Sequence, residues 1–214
     1  MNKLSELKSL IKDKNWQKFC AGEDWSDPAF KYVLDIIFKK NASYHRKQWE
    51  FVVIFLCLAD QGKLHIDSVG ASFGAGKEPL IYDLLPYIKS FLATDLYSWS
   101  TGWDTARLGE KDTPYDFLKR HAPKNLNIDN LSAVEMDMRK LDIEDKSLDF
   151  CYSSCAVEHI GHRQDFINHL NEVNRVLKDD GGYIMTTELL FNHSTVEKKG
   201  NYKFDIEYLR EIFL

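Results

Sequence analysis

The 214-residue chain is poor in cysteine: it holds Cys20, Cys57, Cys151 and Cys155, and no two of them form a C-x-x-C pair. Cys151 and Cys155 fall on a strand-like run with no matching second pair, which excludes a zinc finger or ribbon. All four are expected to be reduced, buried small side chains, and no metal is expected. A long apolar run is missing too. The greasiest stretch, Phe51 to Ala59, is too short to span a bilayer, and the opening Met1-Asn-Lys-Leu-Ser-Glu-Leu-Lys has no apolar signal core. The expectation is a cytoplasmic protein with no membrane contact. Nor does one sign of charge dominate: the net charge is -5 and acids and bases are interspersed. No basic field advertises nucleic acid, which is not expected as a partner. The first 62 residues offer no strand candidate, and the chain has neither an internal repeat nor a low-complexity tract.

What is present centres on Leu64-His-Ile-Asp-Ser-Val-Gly-Ala-Ser-Phe-Gly-Ala-Gly-Lys-Glu-Pro79. Leu64 to Val69 reads as a buried strand. Gly70, Gly74 and Gly76 then open a segment in which Leu80, Ile81, Leu84 and Leu85 recur at helical spacing. Glycine suits a turn whose backbone angles are closed to other residues and lets a ligand approach the main chain. Pro79 fits the first helical turn, and Glu78 favours the positive helix end. A second strand, Phe91 to Leu96, carries Asp95 at its end, placed to accept hydrogen bonds from ribose hydroxyls. This is the pattern of a nucleotide-type cofactor site.

Around it, apolar stripes at Leu4, Leu7, Leu10 and Ile11, at Phe30, Val33, Leu34, Ile36 and Ile37, and at Trp49, Val52, Val53 and Leu56 predict a helical preface over residues 1–62. It is expected to pack on an α/β domain over 63–214. Residues 41–50 crowd aromatic and charged side chains, which reads either as a solvated helix start with Trp49 turned inward or as a lid over the cofactor cleft. The long connection from Leu96 to Leu131 carries Trp99 and Trp103, which would line a pocket or pack the insertion, and a helix candidate from Thr113 to Arg120. Further strands are predicted at Ser132–Asp137, Leu148–Ser154 and Tyr183–Thr187. The helix Phe166–Leu177 should end on Asp179-Asp-Gly-Gly182, with glycine as a left-handed cap. Strands alternating with helices at this spacing mean a doubly wound, mostly parallel sheet.

Three glycine-loop chemistries compete. A phosphate-binding P-loop would need glycine and a hydroxyl where Ala71 and Glu78 stand, which excludes it. The spacing Gly70-x-x-x-Gly74-x-Gly76 also matches short-chain dehydrogenases, and Asp95 would suit an NAD ribose. Those enzymes, however, carry Asn-Asn-Ala-Gly where Ser153-Ser-Cys-Ala follows strand four, and here Tyr115-x-x-x-Lys119 precedes that strand. The third reading accounts for more residues. From Leu64 to about Glu188 the chain resembles the class I S-adenosylmethionine-dependent methyltransferases, with a type 11-like domain. The resemblance rests on the glycine turn, Asp95, Asp137-Met138, Asp142 to Phe150, Ser153 to Ile160, and Glu172 to Tyr183, which is similar to the family's "RVLKPGG" segment. In the family's acid-x-Gly-x-Gly-x-Gly, Ser72 occupies a usual glycine and Ser68 the usual acid, with Asp67 one residue off.

That resemblance implies a Rossmann-like fold and S-adenosyl-L-methionine as cofactor. Gly70, Ser72, Gly74 and Gly76 would lie along its methionine and ribose, Asp95 would hold the ribose hydroxyls, Asp137 with the Met138 backbone would read adenine, and Ser153 would complete the set. The cofactor has no phosphates, so no cluster of Lys or Arg is required, and none is read from the sequence. Methyl transfer is an in-line displacement that depends on alignment, and a hydroxyl or amine acceptor needs a base. His159, just after strand four, and Glu188, just beyond strand five, are the candidates; His162 and His193 read as solvent-facing. The acceptor is expected to be a small molecule or glycan. The other readings are a methyltransferase-like binding module without catalysis and, further off, a dehydrogenase-like oxidoreductase. The resemblance also implies seven strands. Glu188 to Leu214 shows only a loop and a helix from Asp205 to Ile212, so a sheet of about five strands, an uncovered strand edge and a truncated form of a longer protein are expected.

Overall fold

The computed structural model describes residues 3–12, 14–98, 102–191, 194–198 and 201–213, so Trp99 and His193 lie outside the described residues. Helix α1 (Lys3–Ile11) turns Leu7 and Ile11 inward, against α3 (Arg46–Asp60). Between them, α2 (Pro28–Tyr32) starts at Asp27, whose carboxylate accepts the Ala29 and Phe30 amides. Proline at the first helical position needs no such acceptor. A π-turn, Val33–Phe38, continues it to Lys39, which takes a left-handed conformation. Residues 52–59 of α3 are all buried. A helix apolar on every side must be covered on every side, and α3 lies between the other helices and the sheet.

The sheet holds β1 (Val69–Phe73), β2 (Ser90–Asp95), β3 (Leu131–Glu135), β4 (Leu148–Ser154) and β5 (Leu177–Thr186), all parallel, in the order β3-β2-β1-β4-β5. Helices α4 (Pro79–Leu84), α5 (Pro114–His121) and α6 (Arg163–Val176) supply the crossovers. Alternation along β4 explains the layering. Phe150 and Tyr152 join the core shared with α3, α4 and α5, whereas Cys151 joins the opposite core under α6. No helix among the described residues is long and apolar enough to cross a membrane.

Four expectations are corrected. The first strand begins at Val69, not Leu64, because pairing with β2 starts at Val69↔Ser90, and Ile66 is 81 % exposed. Helix α6 stops at Val176, with Leu177 already extended, and Gly181 and Gly182 lie inside β5 rather than in a left-handed cap. A register irregularity between Leu148 and Phe150 accommodates this early start. Cys20 is exposed and Cys155 only partly buried. Finally, the tail is not strand-free: β6 (Val196–Lys198) and β7 (Asn201–Lys203) form an antiparallel hairpin outside the main sheet, followed by α7 (Ile206–Phe213). Tyr202 and Phe204 pack edge-on against Phe166 of α6, so the hairpin has an aromatic anchor that helical periodicity does not reveal. The main sheet itself has five strands.

Candidate active site

Because β1 runs to Phe73, the turn ahead of α4 is Gly74-Ala75-Gly76-Lys77-Glu78. Gly74 and Gly76 have φ of 70° and 48°, a conformation that favours glycine, and a Cβ on Gly76 would meet the Thr105 carbonyl oxygen at 2.9 Å. Asp95, at the end of β2, holds this turn: the Gly76 amide donates to its Oδ2 at 2.8 Å, and the Tyr97 hydroxyl donates to the Gly76 carbonyl at 2.6 Å. Burial pushes the Asp95 carboxyl up, while the Gly76 and Leu96 amides pull it back. The turn opens on a cavity of about 720 Å³ at the carboxyl ends of the strands, where open α/β sheets bind ligands.

Of the residues expected at the site, Gly74, Gly76, Asp95, Asp137, Met138, His159 and Glu188 all line this cavity. Gly70, Ser72 and Ser153 do not. Gly70 lies within β1, where a Cβ would stand 2.1 Å from Phe150 Cζ, so its missing side chain makes room for an aromatic ring. Ser72 and Ser153 are fully buried in β1 and β4, and the neighbouring Ser154 reaches the cavity instead. The motif is therefore read one turn too early from sequence. Counted from the glycines that turn, Ser72 holds the place of the family's acid and Glu78 that of its third glycine. Tyr115 and Lys119, on α5, do not line the cavity.

Asp137 is less free than expected. Arg139 donates from Nε to Oδ1 at 2.9 Å and from Nη2 to Oδ2 at 2.6 Å, a paired geometry that holds the Asp137 carboxyl below its usual range. Arg139 also reaches the Ile160 carbonyl and Asp165. His159 follows β4 in a short 3-10 turn, with its ring 4.7 Å from that of Trp103. Burial lowers its pKa, so the imidazole is neutral at neutral pH and can accept a proton. Glu188 pairs with Arg46 at 3.2 Å and with Lys203 at 3.5 Å.

What the sequence reading missed comes from α3. Lys47 Nζ donates to the Ser154 carbonyl at 2.9 Å and to its hydroxyl at 3.1 Å, and pairs with Glu50 at 3.0 Å. Glu50, 4 % exposed, also accepts from Ser154 Oγ and Cys155 Sγ and pairs with Arg46. Arg46, Lys47, Lys77 and Arg139 all line the cavity, so the expectation of no cationic cluster is corrected: the cluster is absent along the chain and assembled by the fold. Its only sequence signal was the charge crowding over residues 41–50. Cys155, at φ 50°, lines the same wall, with its thiol pushed up to about 12 by burial.

A parallel sheet of this order, with a glycine turn after its first strand and an acid closing its second, matches the Rossmann-like fold that class I methyltransferases share with dinucleotide-binding domains. Residues 107–185 match the family described as a methyltransferase domain. Among solved structures, the chain is similar to a Haloferax volcanii complex of the Trm112 methyltransferase activator with a candidate methyltransferase. There the identity is 15 %, coverage is 72 % of this chain and 62 % of that one, and the TM-score is 0.50. An S-adenosylmethionine-dependent methyltransferase from Mesorhizobium loti shows 16 % identity, coverage of 59 % and 49 %, and a TM-score of 0.43. The YcgJ protein of Bacillus subtilis shows 18 % identity, coverage of 59 % and 47 %, and a TM-score of 0.46. The chain thus spans less than two thirds of each of these proteins. No curated protein matches it.

The residues present suit S-adenosylmethionine. The cavity falls in the size range of cofactor pockets. Asp95 offers a carboxylate at the strand end, and Glu78 Oε2, buried and without a hydrogen-bond partner, suits a cationic group.

Proposed function

We propose that the chain is an S-adenosylmethionine-dependent methyltransferase acting on a small-molecule or glycan-type acceptor. The observation that carries this reading is one cavity with Asp95 clasping the glycine turn on one wall and a neutral His159, tilted against the Trp103 ring, on another. The cofactor, when bound, supplies an activated methyl group. The chain's own residues do the rest. Asp95 would accept the ribose hydroxyls, Gly74 and Gly76 keep the turn open to close approach, and Met138 with Asp137 would meet the adenine edge. His159 would take the acceptor's proton as the methyl is transferred, and burial favours its neutral, basic form. Glu188 is the second candidate for that proton. Paired with Arg46 and Lys203, it is placed to orient His159 or the acceptor.

Mass spectrometry of the purified protein for retained S-adenosylmethionine or its demethylated product tests the cofactor. A panel of metabolites and glycans, scanned for a gain of one methyl group, tests the reaction. His159→Ala is expected to depress turnover while leaving cofactor affinity nearly unchanged; unaltered turnover across the pH range would move the base to Glu188. Retained nucleoside with no methyl gain on any acceptor would leave a binding module.

A further inference from the structure

The place that the family gives to an acid, two residues before the first turning glycine, holds Ser72, which is fully buried and does not reach the cavity. The place of the third glycine holds Glu78, which does. Glu78 precedes α4 but makes no side-chain cap to it, so its carboxylate is not spent on the helix. Its side chain is 12 % exposed; Oε1 lies 3.8 Å from Lys47 Nζ, beyond hydrogen-bond length, and Oε2 is buried without a hydrogen-bond partner. Lys47 directs its short contacts elsewhere, to Ser154 and Glu50. A carboxylate left so poorly matched in a cavity wall costs free energy unless a cation meets it.

We propose that Glu78 is the counter-charge for the primary ammonium of the ligand's amino-acid arm, taking the role that Ser72 cannot fill. This rests on the cofactor reading above and specifies how that ligand is held. The groups around Glu78 agree with the assignment. Lys47 and Glu50 face it from α3, Asp95 from β2, Tyr152 from β4 and Tyr97 from the segment after β2. Burial dominates and raises its pKa to about 8; Lys47 and the Ser154 hydroxyl pull it down, and Glu50 and Asp95 push it back up. Glu78 therefore holds its proton at neutral pH when no further cation is near. An ammonium brought within contact distance favours the ionised form, so binding such a ligand expels that proton to solvent.

Calorimetry of the full chain with three nucleosides tests this: S-adenosylhomocysteine, its decarboxylated analogue S-adenosyl-3-thiopropylamine, and 5′-methylthioadenosine, which lacks the arm. The first two are expected to bind at least about tenfold tighter than the third, in the range of a charge-assisted hydrogen bond. Glu78→Gln should erase that difference and leave methylthioadenosine affinity unchanged. Repeating the titration in buffers of different ionisation enthalpy should show proton release near neutral pH in the parent chain and none in Glu78→Gln. An arm preference that survives in Glu78→Gln, or the absence of any preference in the parent chain, overturns the assignment while the cofactor reading stands. Failure of all three nucleosides to bind overturns both. Methylthioadenosine affinity also reports that the variant remains folded.

Discussion

Asp95 has two tasks at once, clasping the Gly76 amide and facing the cavity. Asp95→Ala is expected to weaken S-adenosylhomocysteine binding by about 1.5 to 3 kcal/mol, the loss of charge-assisted hydrogen bonds to the ribose. Calorimetry checks this, and unchanged affinity with the fold intact would remove Asp95 from the site. Its place at the cavity was legible because a strand ending on an acid, some twenty residues after a glycine turn, is a local pattern. Gly70 was not legible in the same way. A glycine beside two others looks like part of a flexible turn, whereas here it accommodates the ring of Phe150, which lies 80 residues further on. Sequence spacing cannot separate a glycine that turns from one that makes room.

Among the elements, α3 is the one whose role sequence periodicity least conveys. Its apolar run announced a buried helix, but not that its first turn would lay Arg46, Lys47 and Glu50 across the ends of β4 and β5. Those partners lie more than a hundred residues away: Lys47 bonds Ser154, and Glu50 receives Ser154 and Thr186. Nothing in a local pattern pairs them. Glu50→Ala leaves Lys47 without its nearest acid and Ser154 without its acceptor in a largely desolvated place, which is expected to cost about 3 to 5 kcal/mol. Denaturant unfolding measures this, and a loss below 1 kcal/mol would mean that water reaches the cluster freely. The strands β2 and β4 were legible because their apolar runs end sharply. The start of β5 was not, since Asp179 and Asp180 do not look like strand residues and are drawn in by pairing that begins at Leu177.

For the molecule as a whole, stability against acid is set in part by His169, which is fully buried. Its Nδ1–H donates to the Met138 carbonyl at 2.9 Å and its Nε2 accepts from the Tyr183 hydroxyl at 2.8 Å, so it joins α6 to the segment after β3 and to β5 as a neutral ring. Burial lowers its pKa from the ordinary 6.5. Below that ordinary value the unfolded chain takes up a proton that the folded chain refuses. Stability therefore falls as pH drops through this window, by up to about 1.4 kcal/mol per pH unit for one proton. Urea unfolding from neutral to mildly acidic pH should show this slope, and His169→Gln should flatten it; equal slopes would assign the acid sensitivity elsewhere. The described tryptophans are also segregated across the molecule. Trp16, Trp25 and Trp49 are buried among the N-terminal helices, whereas Trp103 is 57 % exposed and leans on His159 at the cavity. The emission of these four is thus split in space. Emission from the buried three is expected to follow the N-terminal helices, and emission from Trp103 is expected to be quenched when His159 gains a proton and to change if a nucleoside enters the cavity, which would make Trp103 an optical reporter of that cavity without any added dye.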